Sequence, residues 1–295
     1  MHDFHYKGRI DGLHLAFSYA VTTDLVNEAI RRHDCDPVAA HVFGRAITAG
    51  LLATSTLNEA ERINLRWAYQ GLLQTVVVDA GPDGASRGLI SPPHLDQAEE
   101  LDALYGAEGE LQLIRSREGK ILSSGTVACC FQDVVADLVH YLCISDQVES
   151  AMLVLIQLSN HPEHPVALCR GLLIQALPGG DLNRFQQWRE RLSSPLVRGL
   201  LAREEESDNH LENILHKLIE PEAMPAGLSV VDAGQPRFVC TCSPVKLGAV
   251  LRSLPYAERM DIVKKKEPVS ITCHFCRKQY ALSIEDCIAA WNEKV

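Results

Sequence analysis

Val239-Cys-Thr-Cys-Ser243 opens, and Ile271-Thr-Cys-His-Phe-Cys276 nearly closes, the stretch from Val239 to Tyr280 on which the reading of the whole chain depends. Its four thiols come as two tight pairs, Cys240 with Cys242 and Cys273 with Cys276. Four soft thiolates are what a tetrahedral Zn²⁺ site takes, at about 2.3 Å per Zn–S bond. A Cys-x-x-Cys pair can bite one metal from a single turn. Cys-x-Cys is tighter and needs both sulfurs from one extended or turning strand. A free Cys is often just a small core residue, but two close pairs within 37 residues are hard to reach by accident. The expectation is one Zn²⁺ per chain in the reduced state, held by all four sulfurs.

A closed Cys₄ zinc site is usually structural. The same sulfurs also read as a redox switch, because zinc keeps them as thiolates at neutral pH and thiolates are what oxidants attack. Oxidation through sulfenic acid to disulfide removes the ligands. Structural zinc contributes about 10–16 kcal/mol of apparent folding free energy in small domains, so its loss would unfold this end of the chain.

Around that stretch the charge is uneven. Residues 236–295 carry ten basic and six acidic side chains, net +4, while residues 1–235 carry eighteen and thirty-two, net −14. The local excess of cations can offset a Zn(Cys)₄ centre or form a nucleic-acid face. Lys264-Lys265-Lys266 sits beside Glu267, where a solvated turn is the simpler account. At 295 residues, 46% hydrophobic and 22% charged, the chain is expected to be a soluble protein of about two domains. There is no uninterrupted run of 18 apolar residues, and Met1-His2-Asp3-Phe4-His5 does not begin a secretory signal. Ten cysteines without an export signal fit a reducing compartment, so a cytoplasmic protein with no membrane partner is expected.

Upstream, residues 23–32 and the run from Pro37 to about Asn58 predict helices. Ile63, Leu65, Trp67 and Tyr69 alternate with polar or small residues, as in a half-buried strand. Gln74–Ala80 and Ser86–Ile90 flank the turn Gly81-Pro82-Asp83-Gly84, and Leu111–Arg115 and Ile121–Val127 flank Glu118-Gly119. A helix over 131–144 precedes strands at Ala151–Leu158 and Leu168–Leu177. The loop His161-Pro162-Glu163-His164-Pro165 between them reads as a solvated turn rather than a second metal site. The fold class is therefore α+β, with an antiparallel-sheet-rich N-terminal domain over 1–181. From Leu182 the pattern turns helical, with a break at Ser194-Pro195, the charge cluster Arg203-Glu204-Glu205-Glu206, and a last helix from Asp208 or Asn209 to Ile219. Residues 182–235 read as a helical linker. The small Cys₄ zinc domain occupies 236–295.

Together with that order of parts, Phe238-Val-Cys-Thr-Cys-Ser243, Leu254-Pro255, Ile271-Thr-Cys-His-Phe-Cys276 with Tyr280, and Gly171-Leu-Leu-Ile-Gln-Ala-Leu-Pro178 resemble the heat shock protein 33 family of redox-regulated holdase chaperones. The resemblance spans essentially the whole chain. It implies zinc ligation by Cys240, Cys242, Cys273 and Cys276, and disulfides Cys240–Cys242 and Cys273–Cys276 after oxidation. It also implies unfolding clients as partners and a homodimer on oxidation. Ser243-Pro244-Val245-Lys246 departs from the Ser-Arg-Glu-Arg expected after the second cysteine. Cys35, Cys129, Cys130, Cys143, Cys169 and Cys287 are extra thiols, of which Cys287 reads as core.

Three functions of different class compete. One is a chaperone whose client surface is the apolar stripe Leu182, Phe185, Trp188, Leu192, Leu196 and Leu200, packed on the N-terminal sheet at rest because a stripe of that size is not left exposed. Another is a zinc-ribbon-type nucleic-acid binder or a structural zinc protein, disfavoured by the acidic N-terminal part. The third is an enzyme, and the chain shows no phosphate loop, nucleophile elbow or argued carboxylate pair; Asp79 and the Gly81–Gly84 turn do not make a catalytic site.

Overall fold

The computed structural model describes residues 2–203, 209–222, 227–265 and 267–292. The chain divides into two compact units, the first ending at Phe238 and the second beginning at Val239.

The first unit opens with β1 (Phe4–Ile10), β2 (Leu15–Val21), α1 (Thr23–His33) and α2 (Pro37–Leu52). Then follow β3 (Glu61–Tyr69), β4 (Thr75–Ala80), β5 (Ala85–Ser91), α3 (Leu101–Tyr105), β6 (Gly109–Arg117) and β7 (Lys120–Ala128). It continues through α4 (Val134–Ile144), β8 (Ser150–His161), β9 (His164–Ala176), α5 (Leu182–Leu192), α6 (Pro195–Leu201) and α7 (His210–Ile219) to β10 (Leu228–Asp232) and β11 (Arg237–Phe238). One sheet runs β10-β1-β2-β9-β8 and is antiparallel throughout. The other runs β11-β5-β4-β3-β6-β7, antiparallel except for the short β11–β5 pair. The α+β class with an antiparallel-sheet-rich body is what the structure shows.

Local chemistry sets these elements. In β3, Ile63, Leu65, Trp67 and Tyr69 point inward while Arg62, Asn64 and Arg66 alternate with them, the period-two pattern of a half-buried strand. Gly84 takes φ +84° in the β4–β5 turn, and Glu118 and Gly119 are both at positive φ between β6 and β7, as a type I′ hairpin requires. Asp36 caps α2 through the Ala39 amide at 2.7 Å with Pro37 at the first turn.

The central strands β2 and β9 of the five-stranded sheet are buried on both faces. Residues from α1, α2, α4 and the second sheet form one core with Ala20, Val154, Val166, Cys169 and Leu173. On the opposite face, Leu15, Phe17, Tyr19, Leu172 and Ile174 meet Phe185, Trp188, Leu192, Leu200, Ile214 and Leu218 of α5–α7. Successive β9 residues thus serve different cores, so the strand reads as nearly continuous apolar sequence. Helix α2 with the turn after it, Pro37–Thr56, is long and apolar enough to cross a membrane, yet 78% of its most apolar 18-residue stretch is buried in the fold, as in a core helix.

Four expectations change. Residues 4–21, given no element from sequence, form the β1–β2 hairpin; β2 is buried on both faces and lacks alternation, and its turn is made by His14 at φ 49°. Residues 228–232, read inside a helical linker, are strand β10, paired with β1 from Tyr6↔Asp232 to Ile10↔Leu228. Leu182 and Leu196 are 60% and 56% exposed, while Phe185, Trp188, Leu192 and Leu200 are buried. The break at Ser194-Pro195 starts a new helix and resets its phase, so α6 buries Val197, Leu200 and Leu201 instead. Lys264 and Lys265 stand in the last turn of a helix, where cations favour the dipole, rather than in a turn. Lys266, Asp208 and the Glu204–Glu206 part of the charge cluster lie outside the described residues.

The second unit contains α8 (Pro244–Leu251), α9 (Tyr256–Lys265), β12 (Val269–Thr272), β13 (Gln279–Leu282) and α10 (Ile284–Asn292), with β12 and β13 antiparallel. Among its described side chains, Leu251, Leu282 and Cys287 are buried, with Leu254, Val269, Ile271 and Trp291 packed around them. The Trp291 indole N–H donates to the Leu251 carbonyl at 2.9 Å, tying α10 to α8.

Candidate metal centre

The β12–β13 hairpin builds half of the site. Its turn is Cys273-His274-Phe275-Cys276-Arg277-Lys278, closed by the Cys273 amide donating to the Lys278 carbonyl and the Arg277 amide donating to the Cys273 carbonyl, each at 2.9 Å. Arg277 takes the left-handed conformation, φ 59°, that lets the chain reverse directly after Cys276. The other half is the segment between β11 and α8. Ser243 accepts from the Lys246 amide at 3.2 Å and Pro244 opens α8, an arrangement that ends the extended Cys240-Thr241-Cys242 segment.

These two halves bring the sulfurs of Cys240, Cys242, Cys273 and Cys276 within 4.8 Å of one another. Cys240 Sγ lies 3.7 Å from Cys273 Sγ, and Cys242 Sγ lies 3.4 Å from Cys276 Sγ. The sulfur–sulfur edge of a tetrahedron with Zn–S bonds of 2.3 Å is about 3.8 Å, so the cluster is close to the size zinc needs. All four cysteines are thiols rather than halves of disulfides. Cys273 and Cys276 are buried, and Cys240 and Cys242 are half-buried. A donor set of four soft sulfurs without carboxylate or imidazole fits zinc.

The surroundings favour thiolates unequally. The Tyr280 hydroxyl sits 3.2 Å from Cys242 Sγ, and this hydrogen bond draws the Cys242 thiol down to about 7. Burial pushes Cys276 up to about 12, as it does any thiol without a compensating positive charge. The Lys246 ammonium donates to the Thr241 carbonyl at 2.9 Å, putting a cation beside the first pair. The departure at Ser243–Lys246 thus keeps one positive charge near the sulfurs. Tyr280 entered the sequence reading only as a motif residue, and the part of Lys246 has no signal there, since it depends on the helix start at Pro244.

Among the described residues, these four cysteines are the one group of three or more His, Cys, Asp and Glu donors that could hold a metal. Cys287 lies in the apolar cluster, apart from the four clustered sulfurs. His161 and His164 face each other at the exposed tip of the β8–β9 hairpin, ring centroids 5.4 Å apart.

The fold and the cluster define an α+β protein with an antiparallel-sheet body and a four-thiol centre of metal-site geometry near its C-terminal end. The Hsp33 protein family profile matches residues 3–283, and the chain belongs to the Hsp33 family. Relatives include the 33 kDa chaperonin of Geobacter sulfurreducens, 30% identical over 272 residues, covering 90% of this chain and 87% of the relative. The 33 kDa chaperonin of Gloeobacter violaceus is 30% identical over 279 residues, covering 90% and 88%. The fold is also that of the crystal structure of the 33 kDa chaperonin of Thermotoga maritima, with a TM-score of 0.82 at 21% identity over 99% of this chain and 98% of that one. The family is one of chaperones rather than an enzyme class.

Proposed function

We propose that the protein is a redox-regulated holdase chaperone of a reducing, cytoplasmic compartment. The observation that carries this is four thiols within 4.8 Å of one another in a unit whose apolar cluster, among the described side chains, is built on Leu251, Leu282 and Cys287. One Zn²⁺ held by Cys240, Cys242, Cys273 and Cys276 would staple that unit and keep the sulfurs as thiolates. Each thiolate pair gives two electrons to one peroxide, which takes two protons from solvent and leaves as two waters, and the pair becomes a disulfide. Four ligands are then lost, and with them the metal-dependent stability of residues from about 236 onward.

Residues 182–235 act in this reading as the responsive linker. α7 runs through β10 and β11 directly into Cys240, so the chain that unfolds is continuous with the helices covering the sheet. Loosening α5–α7 would free Phe185, Trp188, Leu192 and Leu200 and join them to Leu182 and Leu196, giving a broad apolar surface for unfolding clients and for a second oxidised copy. A homodimer forms on oxidation.

The family resemblance implies pairing within each motif, Cys240–Cys242 and Cys273–Cys276. The 3.4 Å approach of Cys242 to Cys276 makes pairing across the motifs the competing outcome. The test counts zinc and free thiols before and after peroxide, maps the disulfides, and follows aggregation of a denatured client alongside. Expected are one zinc in the reduced protein, none after oxidation, and client protection only after oxidation. Cys273→Ser should abolish tight zinc retention, because three thiolates leave the shell open. Full protection by the reduced, zinc-loaded protein would overturn the reading.

A further inference from the structure

The first unit carries a groove of about 980 Å³ where the start of α2, helix α3, the loop before α4 and strand β8 meet. That is the upper end of the range for ligand sites. Its floor is apolar: Val38, Val42, Leu104 and Tyr105. Large apolar side chains also stand exposed along its rim, Leu101 at 59%, Phe131 at 54% and Leu158 at 41%. Three exposed large hydrophobics from separate elements around one depression mark an interaction surface rather than scattered surface residues.

The charge at the rim names the partner. Within the groove Arg45 is neutralised by Asp133, their side chains forming an ion pair that is mostly buried. Glu99, Glu100 and Asp102 remain, all exposed. Asp102 accepts a hydrogen bond from Gln132 at 2.6 Å, which holds it without cancelling its charge. An apolar floor with three carboxylates along the edge is complementary to side chains that are themselves apolar and flanked by cations.

We propose that this groove is a docking site for apolar peptide segments that carry lysine or arginine, and that it is open in the resting fold. It borders the α5 end only at Phe131, which also lines a depression with Arg189 and Leu192, and it needs neither oxidation nor release of those helices. An extended segment would lay Leu- or Phe-sized side chains on Val42, Leu104 and Phe131 while its cations meet Glu99, Glu100 and Asp102. The site therefore selects among clients by charge before the redox-dependent surface appears. It stands whether or not the thiol switch does.

The test uses the reduced, zinc-loaded full chain without oxidant, and two short fluorescein-labelled peptides, one alternating leucine with lysine and one alternating leucine with glutamate. Anisotropy should show the lysine peptide binding at least about tenfold more tightly at low ionic strength, with the preference shrinking as salt screens the rim. The double variant Glu99→Lys, Glu100→Lys, at exposed positions, should reverse the preference. Phe131→Ala should weaken both peptides alike. Equal binding of the two peptides, an unchanged preference in the charge-reversed variant, or binding that appears only after peroxide would each overturn the proposal. The last of these results would leave the redox reading intact.

Discussion

At the scale of single residues, Tyr280 is the hydroxyl in contact with the thiol centre. Its hydroxyl lies 3.2 Å from Cys242 Sγ and 3.4 Å from the Cys242 carbonyl, and when Cys242 is a thiolate the single O–H donates to the sulfur. Hydrogen-bond partners behind a metal ligand tune it strongly. Donation also withdraws electron density from the sulfur and makes it a poorer nucleophile. Tyr280→Phe should therefore lower zinc affinity by roughly tenfold and quicken zinc loss to peroxide several-fold, with little effect on the first unit. Zinc release followed with a chromogenic chelator measures both, and a rate equal to or below that of the unaltered protein would sink this role. The four cysteines were legible because their spacing alone carries metal chemistry. Lys246 and Arg277 were not: the position of one depends on a helix start and that of the other on a backbone dihedral, neither of which a residue pattern records.

Among the elements, α5–α7 matter most, and a buried arginine holds them. Arg170 of β9 is fully buried and donates through one nitrogen to the Leu201 carbonyl at 3.1 Å and the Arg203 carbonyl at 3.0 Å. The same nitrogen lies 3.1 Å from His210 Nε2 at the start of α7. One side chain thus ties the end of α6 and the beginning of α7 to the sheet. Arg170→Met keeps much of the apolar stem but strands buried acceptors, at a cost of about 1–3 kcal/mol per group. The helices should loosen while the thiol centre keeps its zinc. Expected are raised dye binding, a red-shifted Trp188 emission and measurable client protection in the reduced protein. If the variant unfolds the whole first unit, hydrogen exchange in α2 will show it. If α2 stays protected and Trp188 stays buried, Arg170 is not the latch. Sequence alone displays Phe185, Trp188 and Leu192 as one helical face, because that spacing survives in α5. It could not show that Leu196 leaves the face, since the phase is lost at Pro195. Nor could it show Arg170, which reads as a polar interruption in an apolar strand until its partners from residues 201–210 are in place.

For the molecule as a whole, the two units differ in what holds them. The first has two extended apolar cores, one between its sheets around Trp67, Phe43 and Leu51 and one beneath α5–α7. Each large side chain buried there contributes about 1.5–3 kcal/mol. Among its described side chains, the second buries Leu251, Leu282 and Cys287, with Leu254, Val269, Ile271 and Trp291 partly buried around them. Its hairpin is two strands of four residues each, and an isolated two-stranded hairpin is marginal in water. A unit of this size ordinarily needs a disulfide or a metal. A strong chelator added to the reduced protein should therefore remove hydrogen-exchange protection from residues 239–292 while leaving α2 and β3 protected, and thermal unfolding should separate into two transitions. Restoring Zn²⁺ should restore protection over the same residues. The groove between α2, α3 and β8 belongs to the part that stays folded, so the lysine peptide should bind the chelated protein as it binds the zinc-loaded one. Equal loss of protection in both units would mean that the centre governs the entire fold. The thiol chemistry would then be a stability switch for the whole protein rather than for its C-terminal end.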